Sequence, residues 1–159
     1  MKVKRMHVVA ATVALVGAGA FAPAALASPP SGFTPTILVK ADFDQTVHLN
    51  NDKVKFQTKE PTDVMVQKIV LDPGGSSGWH HHPGVVIVAV QSGSVTVWDS
   101  DCNQTTYGPG LPNGAVATES GDEPGQVTSS GGATTYTTFV APSADPPVFR
   151  IEDDPPPCA

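Results

Sequence analysis

The stretch from Val66 to Trp98, VQKIVLDPGGSSGWHHHPGVVIVAVQSGSVTVW, carries the reading of this chain. An apolar, β-branched run (Asp63–Leu71) gives way to glycine-rich turn chemistry at Asp72–Gly78. Three histidines follow, His80, His81 and His82. After Pro83-Gly84 comes a nearly all-apolar run, Val85–Gln91, then a compact Ser92-Gly93 turn and a second strand-like run, Ser94–Trp98. A run of that composition, bounded by turns, reads as a strand covered on both faces. Two such runs joined by a short glycine turn read as a hairpin.

The rest of the chain repeats this texture. Thr36–Ala41, Lys53–Gln57 and Ala133–Val140 are short runs rich in Val, Ile and Thr, and Val148–Ile151 reads as a last edge strand. No window holds a helical apolar period over three turns. Many short strands between Gly/Pro turns predict a single all-β domain, a barrel or a sandwich.

The first 27 residues have a different character. Lys2, Lys4 and Arg5 precede the apolar run Val8–Ala20, and Ala25-Leu26-Ala27 has the small-x-small pattern of a cleavage site. This predicts a signal peptide over 1–27, an exported mature chain starting at Ser28, and no membrane attachment after cleavage. Residues 28–35, SPPSGFTP, read as a flexible leader, 36–151 as the domain, and 152–159 as a proline-rich acidic tail.

The 159 residues hold nine Lys+Arg against fifteen Asp+Glu; without the three basic residues of the signal the balance is six against fifteen. So acidic a surface argues against nucleic acid or an anionic membrane as partner. Cys102 and Cys158 form an even pair in an exported chain, which predicts one disulfide tying the tail to the domain.

In a strand, residues i and i+2 share a face. His80 and His82 therefore project together and His81 points away, to solvent or a rim. Two imidazoles on one face can chelate a divalent transition metal: zinc, iron, manganese, nickel or copper. Two ligands hold a metal weakly, so a full site needs a third group. His48, Gln126 and Glu119 are the candidates. The alternative is a polar strand end with no metal.

The spacing resembles the first motif of the cupin superfamily. Gly74, five residues, His80-x-His82, and a closing glycine at Gly93 follow that pattern, and the wider segment resembles small secreted single-domain cupins of actinobacteria. The resemblance implies a double-stranded β-helix, or jelly-roll, barrel with a metal site and a small-molecule ligand in its interior. It also admits pairing into a homodimer, and either metal-dependent oxygenase or isomerase activity or a non-catalytic role. Two positions depart from the pattern. Val86 stands where the motif carries its ligand Glu. In Glu123–Ser130, the counterpart of the second motif, Thr128 stands where a ligand His belongs. Trp79, Val86 and Thr128 are thereby expected around a pocket.

Overall fold

The computed structural model describes residues 28–159, so the expected signal peptide lies outside the described residues. The described chain is all-β. Its strands are β1 (Ser31–Phe43), β2 (His48–Asn50), β3 (Lys55–Gln57), β4 (Thr62–Ser76), β5 (His80–Gly93), β6 (Val95–Trp98), β7 (Gln104–Tyr107), β8 (Val116–Ser129), β9 (Ala133–Pro142) and β10 (Ile151–Glu152). Eight of them form one antiparallel sheet in the order β1-β4-β9-β5-β8-β6-β7, with β10 added beside β5. A further β4–β8 pairing, Gly75 with Ser129 and Ser76 with Thr128, brings distant parts of that path together. Strands β2 and β3 form a separate hairpin. This is the single-domain jelly-roll barrel that the sequence predicts.

Burial alternates along β5 and β9, so Val85–Gln91 is not covered on both faces as its apolar sequence predicts. From Val85 to Val90 every second side chain, Val86, Val88 and Val90, is buried, while Val85, Ile87 and Ala89 face out. In β9 the buried set is Ala133, Thr135, Thr137, Phe139 and Ala141. The inward rows merge into two apolar clusters, one around Val86, Phe139 and Phe149, the other around Ile69, Val90 and Val95. Gly93, the closing glycine of the histidine motif, has φ +72°, and a Cβ there would stand 2.1 Å from the carbonyl oxygen of Gly132. Only glycine fits that turn.

Two further expectations need correction. Residues 28–35 are not a loose leader. β1 starts at Ser31, with Phe33 opposite Leu71 and Pro35 opposite Ile69. Proline is tolerated because β1 is an edge strand with β4 on one side only. The acidic tail is not free. Glu152 pairs with His80 in the β10–β5 ladder, Asp153 N–H donates to the carbonyl of Trp79, and a Cys102–Cys158 disulfide fixes the end. The run Glu119–Ser129, with two glycines and a proline, is part of the 14-residue strand β8. Among the described residues no helix is long and apolar enough to cross a membrane.

Candidate metal centre

β5 opens on the histidines, and its pleat sets their directions. His80 and His82 are buried, 6% and 5% exposed, and turn into the barrel with ring centroids 4.8 Å apart. His81 faces the opposite way. It is held by Asp153 from the C-terminal segment at 2.8 Å rather than left to solvent.

Backbone carbonyls fix both inward rings. His80 Nδ1 donates to the Gly78 carbonyl (2.8 Å), and His82 Nδ1 donates to the Phe149 carbonyl (2.6 Å). A carbonyl only accepts, so Nδ1 carries the hydrogen in each ring and each Nε2 is turned inward. Gly78 is itself constrained. Its φ is +70°, and a Cβ would meet the Ser28 carbonyl oxygen at 2.0 Å. The first described residue thus packs against the peptide that orients His80.

The third group comes from β8. Glu119 lies directly opposite Val86 in the β5–β8 ladder, so both side chains share the inner face. Its Oε2 is 3.2 Å from His82 Nε2. Ligand atoms of His80, His82 and Glu119 all lie within 4.8 Å of one another. One ion with bonds of roughly 2.0–2.2 Å sets its ligand atoms about 3–4 Å apart, the scale of this cluster. The carboxylate missing from position 86 is present one strand away.

Burial, reinforced by the nearby Arg150 and His82, pushes the His80 pKa down to about 4. His80 is therefore neutral at physiological pH, the form in which imidazole ligates a metal. With a hydrogen on Nδ1, an unprotonated His82 Nε2 would turn a lone pair toward the Glu119 carboxylate. That contact is favourable only with a cation between or on them, a proton or a metal.

The histidines open onto a cavity of about 130 Å³. Its walls are mostly apolar, with Met65, Ile69, Val86, Val88, Phe139 and Phe149 prominent. Gln67, Thr135, Thr137 and Arg150 add polar groups. Thr135 and Thr137 hydroxyls bond each other at 3.2 Å, and Arg150 Nη2 donates to the Ser77 carbonyl at 2.6 Å.

Of the other expected residues Val86 lines the cavity and the rest lie elsewhere. His48 is exposed on the β2–β3 hairpin and lines a separate surface groove with Leu49 and Phe56. Gln126 and Thr128 flank Val127, whose side chain takes the inner face; strand parity turns both of them outward. Thr128 Oγ1 accepts a hydrogen bond from Trp98 Nε1 at 2.9 Å. Trp79 points away from the cavity and seals an outer groove with Ser28, Trp98 and Gln126. Val86 lines the cavity as wall, not as ligand. Arg150 and the Phe149 carbonyl had no signal in the sequence, because a backbone acceptor and a lone arginine in an edge segment match no motif.

No protein-family model matches this chain, and no curated relative does. Solved structures do resemble it. A cupin-2 domain protein of Rhodospirillum rubrum superposes with a TM-score of 0.51 at 14% identity, covering 84% of this chain and 75% of that one. A conserved protein of unknown function from Streptococcus pyogenes gives 0.45 at 17% identity, covering 67% and 77%. A salicylate 1,2-dioxygenase of Pseudaminobacter salicylatoxidans gives 0.41 at 13% identity over 47% of this chain, which spans 20% of the length of that enzyme. At 14% identity the likeness to the Rhodospirillum rubrum domain shows the cupin fold alone.

Proposed function

We propose that this protein is an exported, metal-binding barrel of cupin fold in which His80, His82 and Glu119 hold one divalent transition metal beside a small-molecule cavity. One observation carries this reading. Two Nδ1 groups are tied to carbonyls, so that two Nε2 atoms and a carboxylate converge with their lone pairs facing one another. The donor set suits zinc, iron, nickel and copper, and the carboxylate extends it to manganese. The carbonyl partners act as outer-shell supports that fix ring orientation and tautomer.

A bound divalent ion would supply Lewis acidity to a ligand oxygen in the cavity. The chain does the rest. Val86, Phe139 and Phe149 exclude water, and Thr135, Thr137 and Gln67 offer hydrogen bonds. A cavity of 130 Å³ takes a molecule about the size of benzene. Two histidines and one carboxylate with open positions form the donor set of non-haem oxygenases, and this favours a metal-dependent oxygenase as the second reading. Export rests on the signal-peptide pattern of residues 1–27 and on the disulfide.

The test is elemental analysis of the untagged mature protein beside His80→Ala/His82→Ala and Glu119→Gln variants. About one metal per chain, lost in the double variant and reduced in the single one, is expected. Sub-stoichiometric metal that does not change in the variants means the site is vestigial.

A further inference from the structure

Register stacks the inner side chains of the barrel in layers. Met65, Phe139, Val86 and Glu119 are cross-strand neighbours at the level of the metal centre. Two residues further along each strand, Gln67, Thr137, Val88 and Ala117 form the next layer, and Ile69, Thr135 and Val90 the one after it. Layers two residues apart are separated by roughly 6.6 Å. The charged groups of the cavity stay at the histidine end. Glu119 belongs to the first layer, and Arg150 is held on the Ser77 carbonyl, next to the Gly78 carbonyl that holds His80. The two layers beyond carry no charge.

Those layers are not wholly apolar, however. Thr135 and Thr137 are 1% and 2% exposed, and their hydroxyls bond each other at 3.2 Å. Two hydroxyls carry two hydrogens, and that bond uses one. Among the described residues the second hydrogen has no acceptor. Gln67 lies directly opposite Thr137. Its Nε2 donates to Met65 Sδ at 3.3 Å, and among the described residues its amide oxygen accepts from no group. A donor and an acceptor, one cross-strand pair apart, are thus left facing an apolar cavity. Unmade hydrogen bonds in such a place are costly, and a hydroxyl, which both accepts and donates, completes the two together.

We propose that the cavity takes an uncharged, hydroxyl-bearing molecule about the size of one aromatic ring, its hydroxyl bonded between the Thr135–Thr137 pair and Gln67. The proposal rests on the reading of this cavity as the ligand site, but not on the ion. Size agrees, since an engineered apolar cavity of about 150 Å³ takes benzene and this one holds about 130 Å³. Charge agrees as well. Glu119 repels an anion, and the Arg150 guanidinium is already engaged by the Glu152 carboxylate at 2.8 Å. A cavity without polar groups prefers benzene to phenol, because a buried hydroxyl there loses its water partners. The threonine pair and Gln67 reverse that order.

Isothermal titration calorimetry of the mature protein with phenol and with benzene tests this, before and after treatment with a chelator. The chelated form keeps phenolate on a metal from being mistaken for the proposed contact. Phenol is expected to bind more tightly by roughly 3–10-fold in both forms, the effect of one net hydrogen bond. Thr135→Val and Thr137→Val keep the side-chain shape without the hydroxyl and are expected to remove the preference. Equal binding of the two probes, binding of neither, or a preference that survives both variants overturns the proposal. So does benzoate that binds the chelated protein more tightly than phenol, which assigns the cavity to a carboxylate held at Arg150. Zinc titration of the same protein reads the metal centre separately. A phenol preference without zinc binding removes the metal reading and leaves this one; zinc binding without a phenol preference does the reverse.

Discussion

His82 Nε2 and Glu119 Oε2 stand 3.2 Å apart although they come from different strands and lie 37 positions apart in the chain. The contact exists because Glu119 is the cross-strand partner of Val86, the position at which the resemblance implies a carboxylate. The barrel interior therefore receives a carboxylate at nearly the same place by a different strand.

That relationship predicts a transplant. In a Glu119→Val background, Val86→Glu places a carboxylate on β5 at the level of the lost one. Metal affinity, followed by titration with zinc or cobalt, should fall sharply in the single Glu119→Val variant and recover in the double variant. Val86→Glu alone should weaken folding, because Val86 is 1% exposed and a second buried carboxylate would face Glu119.

The carbonyl supports predict a smaller, graded effect. Gly78→Ala forces an L side chain into φ +70° and into the Ser28 carbonyl, displacing the acceptor of His80 Nδ1. Loss of an outer-shell partner typically costs roughly 10–100-fold in metal affinity. Gly78→Ala should fall in that range while retaining the disulfide and the β spectrum. Isothermal titration calorimetry beside circular dichroism separates the two.

The residues explain why part of this was legible and part was not. β5 can be read as a strand from its own letters: an apolar run from Val85 to Val90, glycines on both sides, and two histidines in phase; because that run does not alternate, its letters do not show that Val85 and Ile87 are exposed. β8 cannot be read in this way. Its sequence from Glu119 to Gly125 is polar, with two glycines and a proline, and it becomes a strand only because β5 supplies the ladder. Gly125 faces His80 and Gly121 faces His82, so residues 122–124 stand opposite His81 alone and two residues are extra on the β8 side, where the proline is tolerated. Glu119 was one candidate among three until that register was known. Motif spacing places Thr128 at the site and its amide makes Gln126 a candidate ligand, but strand parity around Val127 turns both outward.

The pH dependence of the metal-free protein follows from His80. Its folded pKa is lowered from 6.5 to about 4, chiefly by burial. Between those values the unfolded chain binds a proton that the folded chain does not, so stability rises with pH there. The contribution is fully present above about 6.5 and is lost as pH falls toward 4. It amounts to about 3 kcal/mol. Urea unfolding of the chelator-treated protein at pH 7, 5.5 and 4 should show this slope, and His80→Asn should flatten it. An equal slope in the variant would assign the acid sensitivity to other groups.

The disulfide predicts a link between redox state and the site. Cys158 ties the segment after β10 to Cys102, which sits at φ +62° in a turn where Asp99 accepts hydrogen bonds from the Asp101 and Asn103 backbone. Closing a loop of 56 residues restricts the unfolded chain by about 4 kcal/mol in the chain-entropy model. Reduction by dithiothreitol should lower the thermal midpoint accordingly. The same segment supplies the Phe149 carbonyl to His82 and Asp153 to His81. Below the unfolding transition, reduction should therefore also loosen β10 and weaken metal binding. Hydrogen exchange at Ile151–Asp153 and metal titration of the reduced protein read these two effects separately. Protection at those amides that survives reduction would show that the strand pairing with His80 and His81 holds the segment without the covalent tie.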